Sequence, residues 1–346
     1  MELKDIKSMT REEVETEILA LGEKKFRAGQ IYDWLHKKRV TSFDDMTNLS
    51  VALRSKLAAN FRIPQLYIAA RQISEIDGTR KYAFALDDDY VIESVLMRYK
   101  HGNSVCISSQ VGCRMGCRFC ASTLDGLARN LLPSEMLEQI YAIQRDTGER
   151  VSNVVVMGTG EPLDNLENLI RFIRLLSDEK SDGISQRNIT VSTCGLVPKI
   201  DLLAQEKLQI TLALSLHAPN DELRRTMMPI ANRYTIDECL AACDRYFETT
   251  GRRISFEYSL VQGVNDGIEQ ADELIQRLRG RNCHVNLIPV NPIEERDYRE
   301  SLASSVQAFK KRLEFARINV TIRRRMGADI DSACGQLRRK VIHKGE

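Results

Sequence analysis

Long apolar runs are missing from this 346-residue chain, although apolar residues make up 43% of it. A membrane-spanning helix needs about 20 consecutive, mostly apolar residues, and no stretch approaches that length. The opening segment Met1–Lys7 also has no apolar core of the kind that a secretory signal contains. We therefore expect a cytoplasmic protein with no membrane partner.

A strong net charge is also missing, since 50 Lys or Arg residues and 48 Asp or Glu residues leave a formal charge of +2. The local distribution is less even. Residues 310–346 contain eleven basic and four acidic side chains, a local charge of +7, and residues 37–39 form a second basic cluster. Such clusters are typical of proteins that contact phosphates. An ordinary solvated surface would look the same, so charge alone does not decide between the two.

The nine cysteines are odd in number and partly clustered. This pattern is unlike the evenly paired disulfide framework of a small secreted protein. It indicates a reducing compartment in which thiols serve metal binding or redox chemistry.

A fourth metal ligand is missing from the loop that carries Cys113, Cys117 and Cys120. Structural zinc normally takes four ligands in two separated pairs, and neither His101 nor Cys194 completes such a pair. Three thiolates can instead hold three corners of a cubane iron–sulfur cluster, which leaves the fourth iron open for chemistry. We therefore favour an open [4Fe–4S] cluster over a closed zinc site.

The sequence predicts two kinds of structure ahead of the cluster loop. Residues 1–62 have the apolar spacing of short helices, and Thr10 opens one of them with a capping box. Residues 66–98 instead read as three antiparallel strands, with turns at Asp77–Gly78 and Asp87–Asp89. We expect a small N-terminal helical domain followed by a short antiparallel β ribbon.

From Ser104 onward, the sequence alternates strands and helices. Several strands are nearly continuous apolar runs, which is typical of a parallel sheet buried on both faces. The predicted strands are 104–108, 153–157, 188–192, 210–215, 253–260, 284–289 and 319–324. One of the helices, 134–147, is predicted to begin on Ser134 as its N-cap. Six strand–helix units are too few for an eight-fold barrel, so we assign the α/β class and predict a partial (β/α)6 barrel.

No internal repeat or low-complexity segment interrupts this pattern. We predict four segments along the chain. They are a helical accessory domain at 1–62, a ribbon at 63–98, the barrel at 99–325, and a C-terminal segment at 326–346.

Candidate functional residues collect where the predicted strands end. In parallel α/β barrels, chemistry lies at the carboxyl ends of the strands. The cluster loop follows the first barrel strand, and Gly158–Pro162 follows the second. Ser192 ends the third strand, Ser215–His217 the fourth, and Asn291 follows the sixth. Glycines let a ligand approach the backbone, and Glu161 could accept a hydrogen bond from an ammonium group.

These segments carry a family resemblance. The Cys-x-x-x-Cys-x-Phe-Cys loop resembles the signature of radical S-adenosylmethionine (SAM) enzymes, in which an open iron binds the amino and carboxylate groups of SAM. Further segments are similar to the RlmN family of 23S rRNA and tRNA adenine-C2 methyltransferases over essentially the whole chain. They are Cys106–Cys113, Gly160–Leu163, Ser215–His217, Val285–Pro289, Asn291–Pro292 and Asp329–Leu337. One departure is Thr159, where the family commonly has Met.

The resemblance implies a role for each matching residue. Cys113, Cys117 and Cys120 would ligate a [4Fe–4S] cluster. Cys334 matches the cysteine that becomes S-methylated, and Cys106 matches its resolving partner. The residues that match SAM contacts are Gly160, Glu161, Ser192, Ser215, Leu216, His217 and Asn291.

The implied reaction uses two SAM molecules per turnover. The first methylates the Cys334 thiolate, and radical cleavage of the second removes a hydrogen atom from that methyl group, so that its carbon can join adenine. A radical is needed because adenine C2 has no lone pair with which to attack a methyl group. Release then requires loss of the C2 proton to Glu93 and attack by Cys106 on the Cys334 sulfur, which forms a transient disulfide. The resemblance also implies 23S rRNA and tRNA partners and RNA binding by the accessory domain at 1–62. It further implies a low-potential flavodoxin- or ferredoxin-like electron donor, and a monomer.

Three alternatives stay open on the sequence. A sister activity methylates C8 of the same rRNA adenine and gives antibiotic resistance, but those enzymes tend to carry Ala after the Gly-Glu pair, so Pro162 favours C2. A non-catalytic RNA-binding protein could use the cysteines for a structural metal. A radical SAM enzyme that acts on a small molecule or peptide would need neither the basic C-terminal region nor the N-terminal helices.

Overall fold

A small helical layer opens the chain. The computed structural model describes residues 3–291, 297–331 and 336–343. The first elements are β1 (Lys4–Asp5), α1 (Arg11–Ala20), α2 (Phe26–His36), α3 (Val51–Asn60) and β2 (Phe61–Arg62). The three helices share an apolar core that includes Val14, Ile31 and Leu53, each at most 1% exposed. The capping box on Thr10 is confirmed, because its hydroxyl accepts the Glu13 N–H and the Glu13 carboxylate accepts the Thr10 N–H.

The ribbon and the barrel strands form one sheet. The antiparallel ribbon strands and the first barrel strand are β3 (Tyr67–Ile73), β4 (Arg80–Ala85), β5 (Val91–Tyr99) and β6 (Gly102–Ile107). Strand β5 pairs antiparallel with β6, so that Val95 lies opposite Cys106. The ribbon therefore extends the barrel sheet, and side chains of both share one face.

After β6, the barrel alternates strands and helices. Its elements are β7 (Gln110–Gly112), β8 (Leu127–Asn130), α4 (Pro133–Thr147), β9 (Val151–Val156), α5 (Leu166–Ser177), β10 (Ile189–Thr193), α6 (Val197–Gln205), β11 (Thr211–Ser215), α7 (Asp221–Met227), α8 (Ile236–Thr250), β12 (Ile254–Leu260), α9 (Ile268–Leu278), β13 (Cys283–Pro289), α10 (Ala303–Phe315) and β14 (Asn319–Ile322). Over the described residues, the main sheet has ten strands in the order β14-β13-β12-β11-β10-β9-β6-β5-β4-β3. Neighbours from β6 to β14 are parallel. A final helix, α11 (Gln336–His343), packs on the ribbon.

The core lies between the barrel strands and the helices that cover them. Val154, Leu212, Leu214 and Val285 are among the strand residues with no exposed surface, which explains the apolar strand sequences. The predicted α/β class, partial barrel, helical N-terminal domain and ribbon are confirmed. The division into four segments stays a prediction. Within the three described ranges, no helix combines the length and apolar character needed to cross a bilayer.

Buried polar contacts hold the N-terminal helices against the barrel. The Lys7 ammonium lies 2.6 Å from a Glu138 carboxylate oxygen, and both side chains are fully buried. Arg39, from the basic cluster at 37–39, has a half-buried side chain that pairs with the buried Asp182 carboxylate of the barrel at 2.5 Å. Breaking a buried pair is costly because the remaining charge stays desolvated without a partner. The Arg39 side chain is therefore engaged in an ion pair within the protein.

Helix α4 begins one residue earlier than predicted. Pro133 is its first residue, a position where the fixed φ of proline suits a helix. Ser134 is not the N-cap, so that prediction was wrong. Its hydroxyl donates to Asp5 at 2.6 Å and its N–H donates to the Ser8 hydroxyl at 3.0 Å. The serine docks the N-terminal residues, a long-range contact that a local capping pattern does not reveal.

Candidate active site

A cavity of about 340 Å³ opens at the carboxyl ends of the parallel strands. Its lining brings together residues that are far apart in the sequence. Of the predicted site residues, it contains Cys106, Cys113, Cys117, Cys120, Gly160, Glu161, Ser192, Ser215, His217 and Asn291. Adjacent strand ends therefore gather these side chains at the end of the barrel where chemistry is expected.

The loop with the three thiols is shaped by short strands and by glycine. Strand β7 leads into Cys113, whose N–H donates to the Gly126 carbonyl at 2.8 Å. Gly112 has a φ of 77°, and a Cβ there would lie 2.0 Å from that carbonyl oxygen, so only glycine fits. The Cys120 N–H donates to the Cys117 carbonyl at 3.2 Å and closes the turn between them. All three cysteines consequently line one cavity.

The three thiols suit metal ions that stabilise thiolates. Burial, with a smaller contribution from the charge of Cys120, raises the pKa of the Cys113 thiol to about 12. Burial and the neighbouring thiolates also raise the pKa of Cys117. Positive ions would therefore have to stabilise the ligating thiolate form. In the described part of the chain, no three His, Cys, Asp or Glu side chains converge on a single metal ion, whereas three thiols on one loop fit the donor set of a cubane cluster.

Gly160 and Glu161 bring the loop after β9 against the cluster loop. The Glu161 N–H donates to the side-chain oxygen of Gln110 at 2.8 Å. The Glu161 carboxylate accepts the N–H groups of Leu163 at 3.1 Å and Cys194 at 2.8 Å. Burial raises the pKa of Glu161, and these hydrogen bonds oppose that shift. The carboxylate is thus fixed in place, and its remaining lone pairs could accept from a cationic ligand.

Polar groups at the ends of β10 and β11 line the next part of the cavity. The hydroxyl oxygens of Ser192 and Ser215 lie 3.2 Å apart. His217 adopts a left-handed φ of 57°, and its Nδ1 accepts the Ser259 N–H at 2.9 Å. Burial, with a smaller contribution from Arg224, lowers the pKa of His217 to about 3. The ring is therefore neutral, with its proton on Nε2 as a donor.

Leu216 and Asn291 contribute in different ways. Leu216 is fully buried behind the cavity wall, and its N–H donates to the Glu257 carbonyl at 3.0 Å. Its side chain is therefore absent from the cavity lining. Asn291 lines the cavity, while its sequence neighbour Pro292 lies outside the described residues.

Cys106 and Glu93 lie on the ribbon side of the cavity. Val95 and Met97 of β5 line it, and Glu93 shares their face because side chains alternate along a strand. Cys106, opposite Val95 in the sheet, also lines the cavity and is 6% exposed. Glu93 is 4% exposed and stands beside the lining. The pairing of β5 with β6 thus places the two residues on the same face of the sheet, with Glu93 two residues before the partner of Cys106.

Cys334 lies outside the described residues, but the chain on either side of it is docked on the ribbon. Before it, the Asp329 carboxylate accepts the Ser74 hydroxyl at 2.5 Å. After it, the Arg338 N–H in α11 donates to the Glu93 carboxylate at 2.7 Å. No disulfide joins any two of the eight described cysteines. The transient disulfide between Cys106 and Cys334 stays a prediction.

Two buried charges at the site were not found from the sequence. Arg224 is fully buried, and its guanidinium donates to the carbonyls of Cys194 at 2.7 Å and Leu216 at 3.1 Å. It therefore fastens the chain after β10 to the chain after β11. Glu257 lines the cavity and accepts the Asn286 amide at 2.7 Å, and burial raises its pKa. A lone acid in an apolar strand could have indicated Glu257, whereas an arginine in a polar helix gives no such signal.

Three exposed arginines of the basic C-terminal region face the cavity. Arg323, Arg324 and Arg325 lie just after β14 and line the cavity. In contrast, Arg338 is only 6% exposed and pairs with Asp125 at 3.3 Å. The arginines after β14 are thus better placed for phosphate contacts than Arg338.

Gly160→Ala should destabilise the protein more than the matched control Gly148→Ala. Both glycines have positive φ, 112° and 69° respectively. An added Cβ at Gly160 would lie 2.7 Å from the Gln110 Cβ, whereas at Gly148 it would meet nothing within 4 Å. We expect Gly148→Ala to lower the free energy of unfolding by about 1 kcal/mol, and Gly160→Ala by about 1–3 kcal/mol more because its neighbours must move. Urea unfolding measures both, and equal losses would show that Gly160 is not tightly packed.

Two family descriptions match the chain. The Radical SAM superfamily matches residues 107–278, which include the cluster loop and most of the barrel. The ribosomal RNA large subunit methyltransferase N-terminal domain matches residues 4–63, which include the N-terminal helices.

Similar proteins cover nearly the whole chain. A Lachnospira eligens protein named probable dual-specificity RNA methyltransferase RlmN is 65% identical over 338 residues, which are 98% of this chain and 97% of that protein. A Lachnoclostridium phytofermentans protein of the same name is 61% identical over 340 residues, 98% of this chain and 96% of its own. Among solved structures, a radical SAM methyltransferase from Sphaerobacter thermophilus shares 42% identity with a TM-score of 0.92, and the match covers 96% of this chain and 98% of that one. The likeness therefore includes both the helical layer and the barrel.

Proposed function

The chain belongs to the RlmN family of dual-specificity RNA methyltransferases, and from that membership we propose that it methylates carbon 2 of adenine in two kinds of RNA. The proposed targets are an adenine of the peptidyl transferase centre in 23S rRNA and the adenine next to the anticodon in tRNA. The cofactors are a [4Fe–4S] cluster and SAM. The observation that carries the proposal is the single cavity in which three loop thiols meet Cys106 and the strand-end polar groups.

Side chains of the cavity would hold both cofactors. Cys113, Cys117 and Cys120 would ligate the cluster, which supplies the low-potential electron that begins radical chemistry on SAM. The fixed Glu161 carboxylate suits the ammonium group of SAM. Gly160, Ser192, Ser215, His217 and Asn291 would contact SAM from the cavity lining. Leu216, whose side chain is buried outside that lining, is the remaining proposed contact.

Three further residues would move the methyl carbon and the proton. The Cys334 thiolate takes a methyl group, and after loss of one hydrogen its carbon bonds to adenine C2. Glu93 would accept the C2 proton, and the unpaired electron left on the adduct would return to the oxidised cluster. The Cys106 thiolate would then attack the Cys334 sulfur to form a disulfide, while the carbon keeps the electron pair of the broken sulfur–carbon bond and takes a proton to complete the methyl group. Cys106 lines the cavity, Glu93 lies on the same strand face as the lining residue Val95, and the chain on either side of Cys334 is docked on the ribbon. These positions support the assignment.

The alternatives are less well supported. The relatives carry the RlmN name, and Pro162 follows the Gly-Glu pair, so C8 methylation is not favoured. A family of methyltransferases argues against a non-catalytic RNA-binding protein. The match of residues 4–63 to an rRNA methyltransferase domain argues against a small-molecule or peptide substrate.

Anaerobic incubation with RNA tests the proposed substrates. The reconstituted enzyme, SAM and a reductant are mixed with unmodified 23S rRNA or tRNA, and the RNA is digested to nucleosides for mass analysis. We expect methylated adenosine from both RNAs, and none when the reductant is omitted. A protein that holds four irons and cleaves SAM but leaves both RNAs unmodified would contradict the proposal.

Arg324→Ala should weaken RNA binding through the loss of a phosphate contact. Arg324 is exposed and lines the cavity. Each lost contact should flatten the slope of log affinity against log salt by about 0.7–0.9. Arg312→Ala is the matched control from the same basic region, since Arg312 pairs with Asp272 in the outer helices. Fluorescence anisotropy of labelled RNA over a salt series measures both slopes, and an unchanged Arg324→Ala slope would remove Arg324 from the interface.

The proposed setting is the cytoplasm, where ribosomal and transfer RNAs meet reduced thiols. A low-potential flavodoxin- or ferredoxin-like protein would supply electrons, and the enzyme would act as a monomer.

A further inference from the structure

A buried lysine outside the proposed chemistry joins the ribbon to the segment that leads to Cys334. Lys81 lies on β4 and is 1% exposed. Its ammonium donates to the Asp331 carbonyl at 2.6 Å and lies 3.3 Å from one carboxylate oxygen of Glu93. A buried ammonium is costly to desolvate without partners. These contacts therefore hold Lys81, Glu93 and the chain at Asp331 together.

The second carboxylate oxygen of Glu93 binds the other side of the same segment. It accepts the Arg338 N–H at 2.7 Å. Arg338 lies near the described start of α11, and this bond takes its N–H outside the helix. Hydrogen bonds to an ionised carboxylate are roughly twice as strong as neutral ones. Glu93 thus holds α11, while Lys81 holds the chain at Asp331.

Other groups around this cluster complete the docking. Leu337 of α11 packs against Ala83 and Val91 of the ribbon. The Asp331 carboxylate pairs with Lys340 at 2.7 Å, but Lys340 is 61% exposed. Further ionisable groups near Glu93 are Cys106 on β6 and the Arg338 side chain, which pairs with Asp125. Lys81 is therefore a buried cation that contacts both the Glu93 carboxylate and the Asp331 carbonyl.

We propose that Lys81, Glu93 and the first turn of α11 form a latch on the Cys334 segment, with Lys81 as its positioning residue. The latch is closed while Glu93 is negatively charged. Its role in turnover rests on the proposed function, in which the adenine C2–H bond breaks, the proton passes to the Glu93 carboxylate, and the electron pair stays in the ring. A neutral Glu93 attracts Lys81 less and accepts the Arg338 N–H more weakly. Proton transfer therefore weakens the hold of the ribbon on Asp331 and α11 at the step when Cys334 must part from the RNA.

Hydrogen exchange of the Arg338 amide tests the latch without SAM or RNA. In the cluster-loaded full-length protein, Lys81→Met and Glu93→Gln should each speed this exchange about tenfold, because the acceptor of the Arg338 N–H is less firmly positioned in the first variant and uncharged in the second. Lys81→Arg should restore slow exchange by keeping the charge. Lys340→Met is the matched control, since it removes the exposed cation from the same Asp331 and should leave the rate unchanged.

The outcomes separate the latch from a general loss of stability. Exchange in the central strand β10 should stay slow in all four variants. If Lys81→Met also speeds exchange there, Glu93→Gln decides, because it keeps the shape of the side chain and removes only the charge. Slow Arg338 exchange in Glu93→Gln, or equal effects of Lys81→Met and Lys340→Met, would overturn the latch.

A turnover assay tests separately whether the latch is coupled to turnover. Lys81→Met should accumulate covalent protein–RNA adduct, because Glu93 is then poorly placed to take the proton, whereas Lys340→Met should not. Fast exchange without adduct accumulation would overturn the coupling to turnover. If the wild-type enzyme formed no adduct or product at all, the proposed function would fail, and the exchange result would still decide the latch.

Discussion

Cys106→Ala should stop the enzyme after the carbon–carbon bond has formed and trap RNA on the protein. The variant keeps the cluster loop and Cys334, so it can accept the methyl group and join it to adenine. It has no thiol to attack the Cys334 sulfur, so the sulfur–carbon bond persists. We expect a covalent adduct that approaches one RNA per chain, visible as a shifted band on a denaturing gel.

Two matched variants serve as controls for this result. Cys334→Ala has no sulfur to carry the methyl group, so it should form no adduct, although it can still cleave SAM. Cys283→Ala changes another buried cysteine, at the start of β13 and outside the lining of the active-site cavity, and should turn over as wild type. Normal turnover by Cys106→Ala, or an adduct in Cys334→Ala, would show that the two roles are assigned wrongly.

Alanine at Cys113, Cys117 or Cys120 should abolish both SAM cleavage and RNA methylation. Loss of a residue that only hydrogen-bonds to a metal ligand already costs about 10–100-fold in affinity or activity. Loss of one of three direct ligands should therefore cost at least about 100-fold. Iron content, visible absorption and release of 5′-deoxyadenosine measure the loss.

Cys194→Ala is the matched control for the cluster variants. Cys194 lines the same cavity and is 6% exposed, but it lies outside the cluster loop. It should keep four irons and most of the SAM cleavage. The ligand assignment fails if a Cys117→Ala protein keeps four irons and full SAM cleavage.

The sequence predicted the elements well because their signals are local. The apolar runs that predict β11 and β12 are buried strands, and Thr10 forms its capping box. Ser134 shows where such reasoning ends. It has the right residue type for an N-cap, but it binds Asp5 and Ser8 from a distant part of the chain. A contact with a distant part of the chain, such as this one, leaves no local sequence pattern from which it could be predicted.

The site could be predicted only in part. Motif spacing predicted Cys113, Cys117 and Cys120 as cluster ligands, and the family resemblance supplied Cys106 and Glu93 as candidates. Nothing in the sequence showed that the pairing of β5 with β6 places those two on the same face of the sheet. The buried charges Lys81 and Arg224 were also missed, because the type of residue does not reveal that a lysine or arginine will be buried.

The central claim is that the methyl carbon reaches adenine C2 through Cys334, and trideuteriomethyl-labelled SAM tests it most directly. After single turnovers of fully labelled enzyme, the RNA is digested and the methyladenosine is analysed by mass spectrometry against 2-methyl and 8-methyl standards. Because one hydrogen of the Cys334-bound methyl group is removed before the carbon joins adenine, we expect 2-methyladenosine with two deuterium atoms from SAM. Three deuterium atoms would indicate direct transfer of an intact methyl group, and label at C8 would indicate the sister reaction; either result would contradict the account.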